Sequence, residues 1–426
     1  MQSLTVGQGT SVAATRPAAE TGWRDRLGQG VLAAQPWLLY AFCFSLTFSN
    51  ALIEILSAAL IACWIMQRIG PLEHRPPSRW LPAAAATWPL AAYLAACLLS
   101  IATSTYPWLS MQGFLQKTLQ YGLITLVTAD LAMRPGVAGR ATGALVASAA
   151  LLAVDVIVQR VWGRDLLLGI ARFPDGGRLT GPFRNPIDLA TCLAVLLPLV
   201  VVFIGAAAGW RRAGLLLLFT VLLGELIAIT ARSGWLSLLV ATAVLVLAGR
   251  TLRRWLLPAV ITAFVIGLAM FAVTGRLHGA ITLTDAGSRD RVYMWQSAWW
   301  MIRERPILGQ GLNTFMANYL SHWVGGERLP RYAHNCYLQI AAETGLIGLA
   351  AFGWFLLSLL GSAWRRLRSL TTTAENRMLL LGWLGALAAF LVQACFDTNF
   401  YSVRFAALFW CLAGLILGAA ATARPR

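Results

Sequence analysis

Apolar runs of about twenty residues, the length that crosses a hydrocarbon core of about 30 Å as a helix, recur along nearly the whole chain. The runs are continuous, whereas a strand with one buried face would alternate apolar and polar positions. An α-helix also satisfies its own backbone hydrogen bonds in lipid, so the pattern predicts membrane-spanning helices and not a barrel. The twelve predicted spans are 33–49, 51–67, 81–103, 114–133, 141–162, 186–205, 213–230, 233–249, 255–274, 336–362, 378–396 and 404–421.

The first two spans come from one apolar stretch that is too long for a single crossing. We divide it at Ser49 and Asn50, where a short polar turn is available. The resulting even number of crossings places both termini on the same side of the membrane.

The composition agrees with a membrane protein and excludes a water-soluble chain. The 426 residues are 58% hydrophobic and 12% charged, with a mean hydropathy of +0.67. Cysteines form no CxxC pair, so we predict small buried side chains and no disulfide framework. The predicted fold is an all-α polytopic membrane protein with about twelve transmembrane helices and one large loop. Its predicted parts are an N-terminal tail (1–32), spans one to nine (33–274), the loop (275–335), spans ten to twelve (336–421) and a C-terminal tail (422–426).

The basic residues set the predicted sidedness. The formal net charge is +17, and Lys117 is the sole lysine beside 33 arginines. The N-terminal tail and every second loop are basic, which places both termini in the cytoplasm by the positive-inside tendency. The opposite side nevertheless carries 15 of the 34 basic residues. An anionic partner there would offset the cost of charges at helix ends, although arginines reaching the lipid headgroups are an alternative.

The loop 275–335 is long enough to indicate a functional segment. Arg291, Trp295, Trp299 and Ile302 follow helical spacing until Pro306. We therefore predict an amphipathic helix that lies at the membrane interface or packs on the bundle.

His334 is the histidine best placed for chemistry, because it stands where the loop re-enters the membrane. A neutral histidine is suited to general-base catalysis near neutral pH, and nearby guanidinium groups favour its neutral form. The sequence lacks a DxD pair, a GxxxxGK[ST] loop and a GxSxG turn, so we predict no metal and no cofactor. An arginine-rich outer site suits a donor that carries its own phosphate leaving group.

Several motifs resemble those of O-antigen ligases and related polymerases. His334–Gln339 and Glu343–Leu349 resemble the signature that follows the large loop of that family. Arg291–Trp295 and Pro306–Gly311 are similar to its R-x-x-x-W and P-x-x-G-x-G stretches. Thr230–Trp235 is similar to its S-R-G turn, although here the serine follows the arginine. The topology agrees with the family over the whole chain.

The resemblance implies a metal-independent inverting glycosyltransferase with a glycosyltransferase-C-like membrane fold. It would transfer O-antigen from undecaprenyl pyrophosphate to lipid A-core in lipopolysaccharide biosynthesis, at the periplasmic face of the bacterial inner membrane, with membrane lipids around it and no nucleic acid partner. An O-antigen polymerase or a protein O-oligosaccharyltransferase would share the donor and the base, and a membrane transporter is the alternative of a different class. The implied residues are His334 as base, Arg232, Arg291, Arg289 and Arg184 for the pyrophosphate, and Asn335 and Asp397 in support.

Overall fold

The structure is a computed structural model, and it describes residues 23–69, 84–174, 177–248, 286–326, 328–329 and 331–421, with a few single positions between 258 and 269. The described residues form helices and their connections, with one isolated β-bridge between Arg164 and Ala171. A π-helical turn, Phe114–Leu119, joins the fourth and fifth helices. The helices are α1 Trp23–Ser45, α2 Asn50–Ile69, α3 Ala84–Leu99, α4 Pro107–Gly113, α5 Gln120–Ala132, α6 Val137–Trp162, α7 Pro186–Ala206, α8 Gly209–Ile229, α9 Arg232–Ala248, α10 Ala286–Glu304, α11 Phe315–Tyr319, α12 Cys336–Arg368, α13 Ala374–Gln393 and α14 Val403–Ala421.

Eight helices in the described part of the chain are long and apolar enough to cross a membrane. Their ranges coincide with eight of the twelve predicted spans. Three further predicted spans are largely helical, but their helices are shorter or less apolar than these eight. They are 33–49, 114–133 and 233–249. The predicted span 255–274 lies largely outside the described residues. The chain is thus an all-helical, multi-pass membrane protein, and the count of twelve stays a prediction.

The division of the first apolar stretch is confirmed. Helix α1 ends at Ser45 and α2 begins at Asn50, with a tight turn between them. The guanidinium of Arg404, on α14, fixes this turn: it donates to the Phe48 carbonyl at 3.0 Å and to the Asn50 side chain at 3.1 Å. It also donates to the Pro182 carbonyl at 2.9 Å, so one side chain ties the turn, α14 and the approach to α7 together.

Helices α7 and α14 are buried along nearly their whole lengths and form the centre of the bundle. A membrane offers little hydrophobic force between helices, so their association depends on close packing. Small residues allow neighbouring helices to approach closely enough for this packing. A Cβ atom on Gly414 of α14 would lie 2.6 Å from Thr128 Cβ of α5, and one on Gly382 of α13 would lie 2.7 Å from a Val202 methyl of α7. The close packing fixes where the ends of these helices lie.

Helix α12 is interrupted at Gly345, whose φ of 68° and ψ of −176° are not helical. The segment Pro306–Gly311 docks into this interruption through backbone hydrogen bonds. The Gln310 amide donates to the Ala342 carbonyl at 2.8 Å, and the Leu346 amide donates to the Pro306 carbonyl at 2.8 Å. Two motifs that lie far apart in the sequence therefore form one backbone joint.

Helix α10 occupies the place of the predicted amphipathic helix. It belongs to what we call the cap segment, the described residues from 286 to 335. Its buried face carries Met294, Ala298, Met301 and Ile302, which form a second small core with α11 and α12. Trp299, which the spacing placed on the apolar stripe, is exposed. The face of α10 that packs on the bundle is thus rotated from the predicted stripe.

We expect Gly345→Ala to destabilise the protein by about 2 kcal/mol or more, because a residue with a side chain at this φ is strained. The added Cβ would also overlap the Ile307 carbonyl. The measurement is the thermal unfolding midpoint in detergent. Gly353→Ala, on the same helix and with no atom within 4 Å of the new Cβ, is the matched control and should leave the midpoint unchanged or slightly higher. Equal midpoints for the two variants would contradict the joint.

Candidate functional site

A pocket of about 230 Å³ lies where the N-termini of α7, α12 and α14 meet the turn that follows α13. The side chains of Asn185 and Asn335 accept hydrogen bonds from amides in the first turns of α7 and α12. The three helix dipoles still direct partial positive charge toward the cavity, which favours an anionic ligand. The lining residues are Asn185, Asp188, Tyr332, His334, Asp397, Thr398, Asn399, Tyr401, Ser402 and Phe405.

His334 is held at the mouth of this pocket by the start of α12. The Asn335 side chain caps that helix by accepting hydrogen bonds from the amides of Tyr337 and Leu338, each at 3.0 Å. The Cys336 amide donates to the Ala394 carbonyl at 2.8 Å, which ties the start of α12 to the end of α13. His334 itself has a φ of 46°, a value unusual for a residue with a side chain and found where surrounding contacts impose it.

The imidazole of His334 pairs with the carboxylate of Asp397. His334 Nδ1 lies 2.9 Å from Asp397 Oδ1, and the two side chains are 35% and 7% exposed. A carboxylate only accepts hydrogen bonds, so Nδ1 is the donor, and the other ring nitrogen, Nε2, is then the one that accepts a proton. The pair has the orientation of a histidine–carboxylate dyad used in general-base catalysis.

Asp397 remains ionised although it is buried. Burial by itself raises the pKa of this carboxyl, but the hydrogen bond and the charge interaction with His334 act in the opposite direction. Together with the Thr398 amide, at 2.8 Å, and the positive charge of Arg291, they hold the pKa of Asp397 below its ordinary value. Asp397 can therefore orient the ring and stabilise its protonated form.

Two of the four predicted arginines, Arg291 and Arg232, lie on helices that come close to the pocket. Arg291, on α10, is near enough for its charge to act on Asp397. Arg232 begins α9, and the neighbouring Gly234 packs against Ala190 of α7, so the α8–α9 turn lies beside the first turns of α7 that line the pocket.

The other two predicted arginines are less directly placed. Arg289 and Arg184 are exposed, as Arg232 is, and none of the four arginines is among the described residues that line the pocket. Arg184 directly precedes Asn185, which does line it. Arg289 lies on α10, two residues before Arg291.

The sequence analysis missed Asp188, Tyr332 and Tyr401 as pocket residues. Asp188 follows the Asn185–Pro186 helix start, where an acidic residue is expected simply to balance the helix dipole. The two tyrosines are 69 residues apart in the chain, and their rings lie 5.5 Å apart between centroids. Glu343 was also not predicted as a site residue, although the motif Glu343–Leu349 begins with it.

Glu343 is a buried carboxylate that connects the cap segment to the pocket. It accepts hydrogen bonds from the amides of Asn313 at 2.7 Å and Phe315 at 3.1 Å, and from the Tyr401 hydroxyl at 2.8 Å. Burial and then the Glu343 charge raise the pKa of Tyr401 well above its ordinary value, so Tyr401 stays a donor. The wall of the pocket is therefore fastened to the joint at Gly345.

The described residues contain no group of three or more histidine, cysteine, aspartate or glutamate side chains placed to hold a metal ion. His334 and Asp397 face each other as a pair, and the carboxylate of Asp188 lines the same pocket.

The comparisons with known proteins agree on one family. Residues 217–353 match the family model described as O-Antigen ligase, a range that includes Arg232, Arg289, Arg291 and His334. A Rickettsia felis protein described as "Putative polysaccharide ligase" is 26% identical over 211 residues, which are 44% of this chain and 50% of the relative. The chain thus spans about half the length of that curated relative. These matches confirm the similarity of the chain to the O-antigen ligase family, over a segment that carries the histidine and three of the arginines predicted for the site.

Proposed function

We propose that this membrane protein is an O-antigen ligase, which transfers O-antigen polysaccharide from undecaprenyl pyrophosphate to lipid A-core. The observation that carries the proposal is the His334–Asp397 pair, which lies in a pocket at three helix N-termini and within range of the charge of Arg291. The pair supplies a proton acceptor, and the helix dipoles together with Arg291 supply positive charge nearby, as glycosyl transfer from a lipid pyrophosphate requires.

In the proposed reaction, an acceptor hydroxyl oxygen attacks the anomeric carbon of the first donor sugar. A new C–O bond forms to that carbon while its bond to the pyrophosphate oxygen breaks. The hydroxyl proton passes to His334 Nε2, and Asp397 stabilises the resulting imidazolium. Undecaprenyl pyrophosphate leaves with the electron pair of the broken bond. Attack on the face opposite the leaving group inverts the configuration at the anomeric carbon.

The leaving pyrophosphate needs compensating charge, and the protein offers it from two kinds of group. Backbone N–H groups at the starts of α7, α12 and α14 supply fixed partial charges. Arg291 and Arg232 supply guanidinium forks that match phosphate oxygens, with Arg289 and Arg184 as further contacts. A pre-arranged set of this kind stabilises charge as it develops, so the chain requires neither a metal nor another cofactor in this proposal.

Sidedness follows from the same proposal. The protein lies in the bacterial inner membrane with both termini in the cytoplasm, and the cap segment and pocket face the periplasm. The basic loops on the opposite side support this orientation. The donor and acceptor are both lipids, so they reach the pocket from the membrane plane.

The direct test of the function is reconstitution in lipid vesicles with purified lipid-linked O-antigen. Lipid A-core and a second lipid-linked glycan unit are offered separately as acceptors, with excess EDTA present. We expect lipid A-core to be extended. Extension of the lipid-linked unit alone would identify a polymerase, and extension of neither would contradict the proposal. Loss of transfer in EDTA that one added divalent metal restores would contradict the metal-free mechanism.

We expect His334→Ala to lower the transfer rate about 10²- to 10⁴-fold, the usual cost of removing a general base. Asp397→Asn should lower it at least tenfold, because the amide can turn a donor toward Nδ1 and reverse the tautomer. The double variant should be no slower than His334→Ala, since the two residues act as a unit. Rates are measured on protein with an unchanged unfolding midpoint.

The matched control for this pair is Asp290→Asn. Asp290 pairs with Arg331 at 3.1 Å in a partly exposed ion pair of the cap segment, so its loss should change the rate little. Near-normal turnover by His334→Ala would contradict the base assignment. Fully additive effects of the His334 and Asp397 changes would contradict the dyad.

Substitution of Arg232 and Arg291 tests how the pyrophosphate is held. We expect Arg232→Lys and Arg291→Lys to fail nearly as badly as the alanine variants, because an ammonium cannot form the two parallel hydrogen bonds of a guanidinium. The measurement is the transfer rate at saturating acceptor. Arg140→Lys, at an exposed position at the start of α6, should keep full activity. Full rescue by lysine at both sites would reduce their role to general electrostatic attraction.

A further inference from the structure

A second cavity, which we call the outer groove, lies at the far end of α10 from Arg291. Its volume is about 580 Å³, large enough for several sugar rings. Helix α10 and the stretch after α11 form its walls. The residues that the argument uses are Trp300, Arg303, Glu304, His322 and Trp323.

Hydrogen bonds hold the polar side chains at the base of the outer groove in place. The His322 side chain is only 13% exposed, and its Nε2 lies 2.6 Å from Glu304 Oε2. Its Nδ1 faces the Asn318 carbonyl at 2.9 Å and Ser321 Oγ at 3.1 Å, so the ring is held from both sides. The hydrogen bond from His322 lowers the pKa of the Glu304 carboxyl. Glu304, half exposed, thus presents an oriented, ionised acceptor to the groove.

The walls of the outer groove expose two indole rings. Trp300 is 50% exposed and Trp323 37% exposed, and each is accompanied by a guanidinium: Arg303 lies 5.2 Å from the Trp300 ring centroid and Arg328 lies 5.6 Å from that of Trp323. Large exposed apolar surfaces with a polar rim mark binding sites.

This combination suits a sugar chain better than a phosphate-bearing lipid. The C–H face of a sugar ring can stack on an indole, while its hydroxyls donate to a carboxylate and accept from a guanidinium. An ionised phosphodiester carries only acceptor oxygens, so it could neither donate to the Glu304 carboxylate nor stack on the indoles. The groove therefore favours a polyhydroxylated ligand.

The position of the outer groove relative to the pocket indicates which sugar chain would bind there. Thirteen residues of one helix separate Arg291 from Glu304, which is about 20 Å along the axis. In the proposed function, the first donor sugar reacts in the pocket near Arg291, and the following sugars must leave that pocket. Helix α10 spans this distance, with Arg291 toward one end and the outer groove at the other.

We propose that the outer groove binds the glycan chain of the lipid-linked donor, several sugars away from the bond that is transferred. The groove would then select donors that carry a long polysaccharide over donors with a short one. The inference rests on the proposed function, because the direction of the chain is set by where its first sugar reacts.

The test compares two lipid-linked donors that differ only in glycan length, one long and one too short to span about 20 Å from the pocket. We expect Trp300→Ala and Trp323→Ala to lower kcat/KM about tenfold for the long donor, mainly through KM, as loss of one stacking contact predicts. For the short donor, each variant should keep the kcat/KM of the unsubstituted protein. Glu304→Gln should show the same length dependence, which guards against an effect of lost aromatic packing.

Trp299→Ala is the matched control, because Trp299 is the adjacent residue of the same helix and is similarly exposed but does not line the groove. Equal losses for the long and short donors would overturn the inference. So would a loss that follows the sugars of the acceptor, or one that follows the lipid composition of the vesicle and so marks a membrane contact.

A binding measurement separates failure of this inference from failure of the proposed function. The free glycan, cleaved from its lipid, is titrated against the purified protein. Binding that Trp300→Ala weakens and Trp299→Ala does not would support the groove even if no transfer to lipid A-core is found. Absence of binding, together with transfer that is independent of donor length, would overturn the groove and leave the proposed function standing.

Discussion

The interruption of α12 at Gly345 is the constraint on which the arrangement of the site depends. A helix that continued through this position would leave no free backbone groups for the segment Pro306–Gly311, which now pairs with residues on both sides of the break. Glu343, two residues earlier, accepts hydrogen bonds from the cap segment and from Tyr401 of the pocket wall. The cap segment, α12 and the pocket are thus positioned by one short stretch of backbone and one buried carboxylate.

The membrane environment also restricts where charged side chains can lie. Two charged groups between helices are paired locally: the partly buried Arg404 guanidinium makes four hydrogen bonds, and the buried Glu225 carboxylate lies 2.5 Å from the Arg160 guanidinium. The ends of α7, α12 and α14 meet at one face, where their N-terminal amides add to the effect of nearby arginines. A bundle that must hide its backbone in lipid therefore concentrates its chemistry at the helix ends.

The sequence was sufficient for features that depend on local pattern. Eight of the twelve span positions, the turn at Ser49–Asn50 and the existence of α10 follow from apolar run length and polar punctuation, and the described residues contain each of them. His334 and Asp397 were both named, but their pairing across 63 residues was not predictable because spacing carries no signal for a contact between separate helices. The same reason explains why Tyr401 was missed. The spacing placed Trp299 on the packed face of α10, and this was wrong, because Met294, Ala298 and Met301 pack on the neighbouring elements instead.

The central claim is that the pocket at the three helix N-termini receives the donor pyrophosphate beside the His334–Asp397 pair. The most direct measurement is a cryo-electron microscopy structure of the protein with bound undecaprenyl pyrophosphate. We expect pyrophosphate density in that pocket, with Arg291 within hydrogen-bonding distance of a phosphate oxygen and His334 Nε2 facing the space for the first sugar. Density at another place, with the pocket at His334 left unoccupied, would contradict this assignment.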